Sequence, residues 1–473
     1  MRGRREGVKL WLDRSGSLPL TLSVSIGAFN DVPVGPVPRG LEGDVEVNIV
    51  DLSTQLATYS HRWKSVKVSH IGDQKATDAI CRPLTQLKEK DFPILEELDA
   101  AAFCFFRYEH DATTQTLTPT PTNLARVLTR LPSLRTLHLA NERACGILAL
   151  SGGSWASLTT LFLNSISVHS PTEAGHTVEK LAQLGPSLNF LSFNPILSHW
   201  LHIGMETPLY TPVQFPLLRT LIVKVGSDHL YSNAIETEEN VSKMLIAILR
   251  NIHAPALESL HAGVGSGIAI YNAEQEQPEN SPPSSSRDPY DGFSVPFHRL
   301  LSQSHGRITH LSMGGFPLAR PEMLAQSLEL LPSLQFLTFS GTRSLGSDGD
   351  DINEVLRVST YTTFLSVLRK LLSSDPLLCQ DLENLEVERQ EPPSTVMIPL
   401  VDPILDLALS RSKLKALSVD FGELPKANIT GLEANVRAHR ALGELREGRG
   451  VHVSWKWEEL REPDISFYDE PYA

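Results

Sequence analysis

The sequence predicts an α/β solenoid, built from short parallel strands that alternate with helices. Three observations predict it. A phrase of an apolar residue, two variable ones, Leu, one variable residue and a further apolar one recurs along the chain. It reads Leu134-x-x-Leu137-x-Leu139, then recurs at Leu158, Leu188, Leu218, Leu257, Ile308, Leu334, Leu382 and Leu414. Segments with helical spacing precede several of these phrases, and a Pro-containing turn separates helix from phrase. A strand joined through a helix to the next strand gives a parallel sheet with helices on one side. Together these features define an irregular leucine-rich-repeat solenoid, expected as a horseshoe with the sheet concave and the helices convex.

Taken in order, residues 1–60 form a lead-in region of helix and strand. The basic cluster Arg2, Arg4 and Arg5 reads as a frayed, solvated end. Leu18 to Ile26 alternates apolar and polar residues as a half-buried strand does. Trp63-x-x-Val66-x-Val68 and Leu95-x-x-Leu98 open the repeat array expected at 61–457. In Thr122 to Leu131, Leu124, Val127, Leu128 and Leu131 share one helical face before Pro132. The same reading applies to 238–253, 321–331, 360–372 and 400–409, and a last helix over 432–445 leads to a closing strand at Val451 to Trp455. Phrases lie from about 24 to about 50 residues apart, against the 20–29 of tight repeats. The polar stretch 273–292 is expected as a disordered insertion, 344–353 as a mobile loop, and 458–473 as a flexible tail.

A tight repeat places Asn or Cys three residues past the last strand leucine to satisfy turn backbone. Here those positions hold Glu142, Ile166, Ile196, Gly226, Gly265, Phe316, Thr342, Gln390 and Gly422. No asparagine ladder exists, so other groups must do this.

Of 473 residues 41% are hydrophobic and 21% charged, an ordinary globular balance. A formal charge of −13 argues against nucleic acid as partner. Cys81, Cys104, Cys145 and Cys379 are far apart and form no C-x-x-C pair, which points to a reducing compartment. No apolar run is long enough to span a bilayer and no signal segment opens the chain. A cytoplasmic or nuclear protein that does not engage membranes follows.

Local chemistry is sparse. Asp348-Gly-Asp-Asp351 with Glu354 lacks the carboxylate register of a calcium loop. His199 and His202 have no third ligand at metal spacing. Gly263-Val-Gly-Ser-Gly267 lacks the Lys-Ser/Thr ending of a phosphate loop and reads as a glycine turn. No nucleophile elbow or zinc-protease motif is present, so neither an enzyme nor a cofactor is expected.

The strand phrases supply the candidate site. Leucines face the core, so the residues between them face outward. That face carries His138, Phe162, Asn164, Phe190, Ser192, Asn194, Ile222, Lys224, His261, His310, Phe336, Glu386, Glu388 and Asp420, with Ser312, Thr338 and Ser418 among them. Phe162, Phe190, Ile222 and Phe336 are apolar where a solvated face is polar, which marks a protein-binding surface. Covering by flanking loops is the plain alternative.

Two stretches carry a resemblance. Trp11-Leu-Asp-Arg-Ser-Gly-Ser-Leu-Pro-Leu-Thr-Leu-Ser-Val24 and Tyr59-Ser-His-Arg-Trp-Lys-Ser-Val66 resemble successive segments of the F-box-like leucine-rich-repeat family of mushroom-forming fungi. That resemblance implies repeats that hold a protein substrate, and an upstream F-box that recruits the adaptor of a cullin–RING ubiquitin ligase. The chain starts ten residues before Trp11 without a Leu-Pro-x-Glu-Ile-Leu-like helix, so a truncated gene model or a lost F-box is expected. A cullin-ligase adaptor is then a partner only if an upstream F-box exists. The reading is a non-enzymatic recognition module for an unknown protein target. A stand-alone repeat scaffold is the alternative.

Overall fold

The computed structural model describes residues 2–24, 52, 54–68, 88–99, 106–110, 117–121, 131–140, 155, 157–168, 170–197, 212–227, 234–264, 291–304, 306–314, 326–340, 364–373, 378–388, 401–420 and 439–456. It divides into two compact units. One comprises Met1–Val168, Glu173–Ile196 and Val213–Leu218, and the other His169–Thr172, Leu197–Pro212 and Arg219–Ala473.

The first unit opens with α1 (Arg2–Arg14), β1 (Leu20–Val24), β2 (Trp63–Val68) and β3 (Glu97–Asp99). A separate antiparallel pair follows, β4 (Phe106–His110) with β5 (Leu117–Pro121). Then come β6 (Thr136–Ala140), β7 (Thr160–Val168), α2 (Pro171–Leu184), β8 (Phe190–Leu197) and the short β9 (Val213–Gln214). The main strands lie in the order β1-β2-β3-β6-β7-β8, with β1 through β7 paired in parallel.

The second unit runs β10 (Thr220–Ser227), α3 (Ala234–Arg250), β11 (Ile252–His253), β12 (Ser259–Val264), α4 (Asp291–Gln303), β13 (His310–Gly314) and β14 (Phe336–Ser340). A helical segment at 364–373 leads to β15 (Asn384–Glu388), then α5 (Val401–Ser410), β16 (Ala416–Asp420) and β17 (His452–Lys456). The order β10-β12-β13-β14-β15-β16-β17 is again parallel. Strand order follows chain order, as it must when each crossover carries the chain to the next position.

The leucine phrase is buried as its period demands. Leu137, Leu139, Leu161 and Leu163 have no exposed surface, and β6, β13, β14 and β16 alternate half-exposed and buried residues. Each such leucine stabilises the fold by about 1.5–3 kcal/mol through surface removed from water. The register pairs phrase with phrase, for example Leu221 with Leu260 and Leu311 with Leu337. Helix α3 follows the predicted apolar stripe but starts earlier, and packs on β10, β12 and α4. The expected helix at 122–131 lies outside the described residues, apart from Leu131 in the turn.

Several expectations change. The N-terminus is helical from Arg2 rather than frayed, and Leu12 near the end of that helix is fully buried. Helix α4 begins at Asp291, so Asp291 and Gly292 belong to a helix and not to an insertion. Gly263 and Val264 continue strand β12 instead of opening a glycine turn. A Cβ at Gly263 would stand 2.7 Å from the Gly314 carbonyl oxygen, so glycine permits a close approach of β12 and β13. The stretches 273–290, 344–353 and 458–473 lie outside the described residues, as do His199, His202 and Cys81, Cys104 and Cys145.

The missing asparagines have a structural answer. At Ile166, Ile196 and Gly226 there is no turn to satisfy, because β7, β8 and β10 run on through those positions. Ser165, at φ 55°, takes up the irregularity inside β7. Two other devices join the repeats. Serines in the turns before the phrases donate to carbonyls of the preceding repeat: Ser133 to Pro93 at 3.1 Å, Ser157 to Leu134 at 3.2 Å and Ser187 to Leu158 at 3.0 Å. Arginines then cap helix C-termini, whose last carbonyls lack intrahelical partners. Arg62 donates to Leu12 O of α1, Arg299 to Arg250 O of α3, Arg411 to Leu371 O, and Arg449 to Ala408 O and Leu409 O of α5. Their charge also opposes the negative end of the helix dipole.

Arg62 explains why two distant stretches of the sequence are distinctive. Besides Leu12 O at 3.1 Å, it reaches Leu18 O at 3.0 Å and Ser15 Oγ at 2.6 Å, while the Tyr59 hydroxyl donates to Asp13. The Trp11 and Tyr59 stretches are two halves of one clamp that ties the end of α1 to the segment before β2.

Cys379 sits in the turn before β15, and burial pushes its thiol up to about 12, against the opposing influence of the Arg411 cation. The thiolate is the reactive form. Iodoacetamide at about pH 8 is therefore expected to leave Cys379 unlabelled in the folded chain. Peptide mass mapping before and after unfolding checks this, and native labelling at the unfolded rate refutes it.

Candidate protein-binding face

In both units the residues between the leucines line one face of the parallel strands, because a strand turns alternate side chains to opposite sides. In the first unit that face begins with an ion pair and a hydrogen bond and ends with aromatics. Lys67 lies 3.7 Å from Asp99, and Ser65 donates to Glu97 at 2.8 Å. His138 then stacks on Phe162, ring centres 3.9 Å apart and planes 20° from parallel, and Phe162 meets Phe190 at 4.7 Å. Register places His138 opposite Phe162 and Ala140 opposite Asn164. Beside the rings the Asn194 amide donates to Asn164 Oδ1 at 2.7 Å. His138, Phe162, Asn164, Phe190 and Asn194 are half-exposed.

Ser192 does not belong with them. It is 4% exposed, since its hydroxymethyl group does not rise above the Phe162–Phe190 pair alongside.

In the second unit the face passes from Ile222 and Lys224 through histidines to carboxylates. His261 Nε2 lies 3.2 Å from Ser259 Oγ, and His310 stacks on Phe336 at 4.0 Å with planes only 8° apart. Thr338 donates to Glu386 at 3.3 Å and Ser340 to Glu388 at 2.7 Å, so the carboxylates are held upright by neighbouring hydroxyls. Lys224 and Glu388 are exposed. Ile222, His261, His310, Phe336, Glu386 and Asp420 are half-exposed, as are Ser312, Thr338 and Ser418.

Three histidines share one electrostatic situation. Burial holds His138, His261 and His310 below the usual histidine value of 6.5. Asp99 and Glu97 pull His138 back up while Lys67 pushes it down. Lys224 and His310 depress His261 further, and Glu388 opposes them. For a histidine lowered on folding, the unfolded chain takes the proton first. Stability is therefore unaffected well above 6.5 and falls as pH drops through the unfolded value toward the folded one. Thermal unfolding between about pH 7.5 and about pH 5 should show the melting temperature dropping on acidification. His138→Gln combined with His310→Gln should shrink that drop, and an unchanged slope would count against the assignment.

Among the described residues no group of three or more His, Cys, Asp or Glu could hold a metal ion, and no helix is long and apolar enough to cross a membrane. The first unit's face offers aromatic rings and amides, and the second unit's offers a stacked aromatic pair and carboxylates. That arrangement suits surface recognition.

Fold and face define the class: a mixed α/β protein of leucine-rich-repeat-like build, with parallel strands stacked in chain order. No protein-family model and no curated protein matches the chain. Among solved structures it is similar to one described as the Rad7 and Elc1 complex of yeast, at 12% identity and a TM-score of 0.39, covering 94% of this chain and 86% of that one.

The face was read from the period of two alone. What sequence reasoning missed is the Arg62 clamp, and the recurring Ser one residue before Leu134, Leu158, Leu188 and Leu334 was the available signal for the serine ladder.

Proposed function

We propose that this chain is a non-enzymatic protein-recognition module that holds a target against the face between its strand leucines. The observation that carries this reading is the half-exposed run His138–Phe162–Phe190, three rings in contact on one side of a rigid sheet. Exposed aromatic clusters are where interfaces concentrate binding energy, because a ring removes much surface from water at little entropic cost. The neighbouring Asn164–Asn194 amides supply polar contacts that orient a partner.

The resemblance of the Trp11 and Tyr59 stretches to F-box-associated repeat proteins supports a more specific role. The module is then the substrate-holding repeat part of an F-box-type ubiquitin-ligase receptor. Affinity capture from its native cells with the full-length form, any upstream F-box included, followed by mass spectrometry, tests that role. Recovery of cullin-ligase components is expected. Their consistent absence removes the ligase role and leaves a stand-alone repeat scaffold.

A further inference from the structure

Six large apolar side chains are exposed among the described residues, and three of them share one short stretch: Leu10 at 49%, Trp11 at 54% and Leu18 at 66%. Leu12, Asp13 and Ser15, which lie between them, are engaged within the chain. Leu12 is buried, Asp13 accepts from Tyr59, and Ser15 Oγ and the Leu18 carbonyl accept from Arg62. The clamp fixes the last turn of α1 and holds Trp11 outward on a rigid element, yet it uses neither Trp11 nor Leu10. Gly7 has open space where a side chain would stand, so the helix backbone is bare beside them.

Charge identifies what covers this patch. Helix α1 carries Arg2, Arg4, Arg5, Lys9 and Arg14 against Glu6 and Asp13, in a chain whose net charge is −13. Two such patches facing each other would bring two basic helices together, which disfavours a like-with-like dimer. The complement is a segment with aromatic rings and carboxylates. Residues 457–473 have that chemistry, with six acidic side chains against Arg461 alone, and with Trp457, Phe467, Tyr468 and Tyr472.

We infer that residues 457–473 of one copy of this chain dock on the Leu10–Trp11–Leu18 patch of a second copy. The rings cover the patch and the carboxylates meet the basic groups of α1. The two surfaces differ, so each added copy leaves one patch and one segment free, and copies add in a row.

Light scattering on the full chain from about 1 to about 300 μM, the range in which a weak contact titrates, tests this. The average mass is expected to rise above the 52.2 kDa of one chain as concentration increases. Trp11→Ala, the pair Lys9→Glu and Arg14→Glu, and the pair Phe467→Ala and Tyr468→Ala should each raise the concentration for half-assembly at least about tenfold, as loss of an anchor does. An excess of the synthetic peptide 457–473 should occupy the patches and return the chain to monomers. Circular dichroism checks that each variant is folded. A full chain that stays monomeric throughout overturns the inference. So does assembly that survives the folded patch and segment variants, or that ignores the peptide.

Discussion

Arg411→Ala is expected to lower the stability of the second unit by about 3–5 kcal/mol, from two acceptors left unpaired together with the cavity left behind. Arg411 is 1% exposed. Its guanidinium donates to the Leu371 and Leu378 carbonyls, each at 2.8 Å, and to Ser410 Oγ at 2.7 Å. Alanine leaves two inward-facing carbonyls without donors and a void where the side chain lay, and both losses are costly in a close-packed interior. Burial draws the guanidinium below its usual value, with the buried Cys379 thiol acting in the opposite sense. Arg411→Met separates the two causes. Its chain refills most of the void but donates nothing, so it should recover the packing part only. Arg411→Lys restores a charge, but a single ammonium does not reproduce the planar fork that reaches two carbonyls. Urea unfolding, read by hydrogen exchange in peptides from 364–420, measures all three. A loss below about 1 kcal/mol for alanine would show that water replaces the guanidinium without strain.

The arginine caps also mark the limit of what the sequence discloses. The leucine phrase is legible because its period of two is local, and burying Leu137 and Leu139 leaves His138 on the other side whatever the rest of the chain does. Helix α3 is legible for the same reason, as its stripe from Val241 to Leu249 is contained in one element. Arg62 and Arg411 are opaque because their partners lie 50 and 40 residues away, and an arginine in a turn ordinarily reads as solvated. The absent asparagines posed the right question, since some group must satisfy the junctions. The answer was divided between strands that continue past Ile166, serines in the turns, and arginines at helix ends. Ser192 is the one face residue that position alone misplaced, because its exposure depends on the height of its neighbours and not on its direction.

Phe162→Ala combined with Phe190→Ala is expected to weaken capture of the target about thirtyfold to a thousandfold, since each ring at the centre of an interface is worth about 1–2 kcal/mol. The rings touch each other at 4.7 Å and His138 stacks on the outer side of Phe162, so the three act as one surface. Removing both phenyl groups takes away the anchor and leaves His138 without the ring that orients it. The core is spared, because Leu161, Leu163 and Leu191 lie on the opposite side of the same strands and are fully buried. Stability should therefore fall by less than a core leucine truncation, which costs about 2–5 kcal/mol. His138→Ala alone should have a smaller effect, and Glu386→Gln with Glu388→Gln, in the second unit, separates an acidic contribution from an aromatic one. The measurement is target capture by each variant at matched folded concentration, with melting temperature followed in parallel. Capture that persists in the double phenylalanine variant, with the fold intact, would place recognition elsewhere on the molecule. Capture and stability lost together to the same degree would make the rings structural.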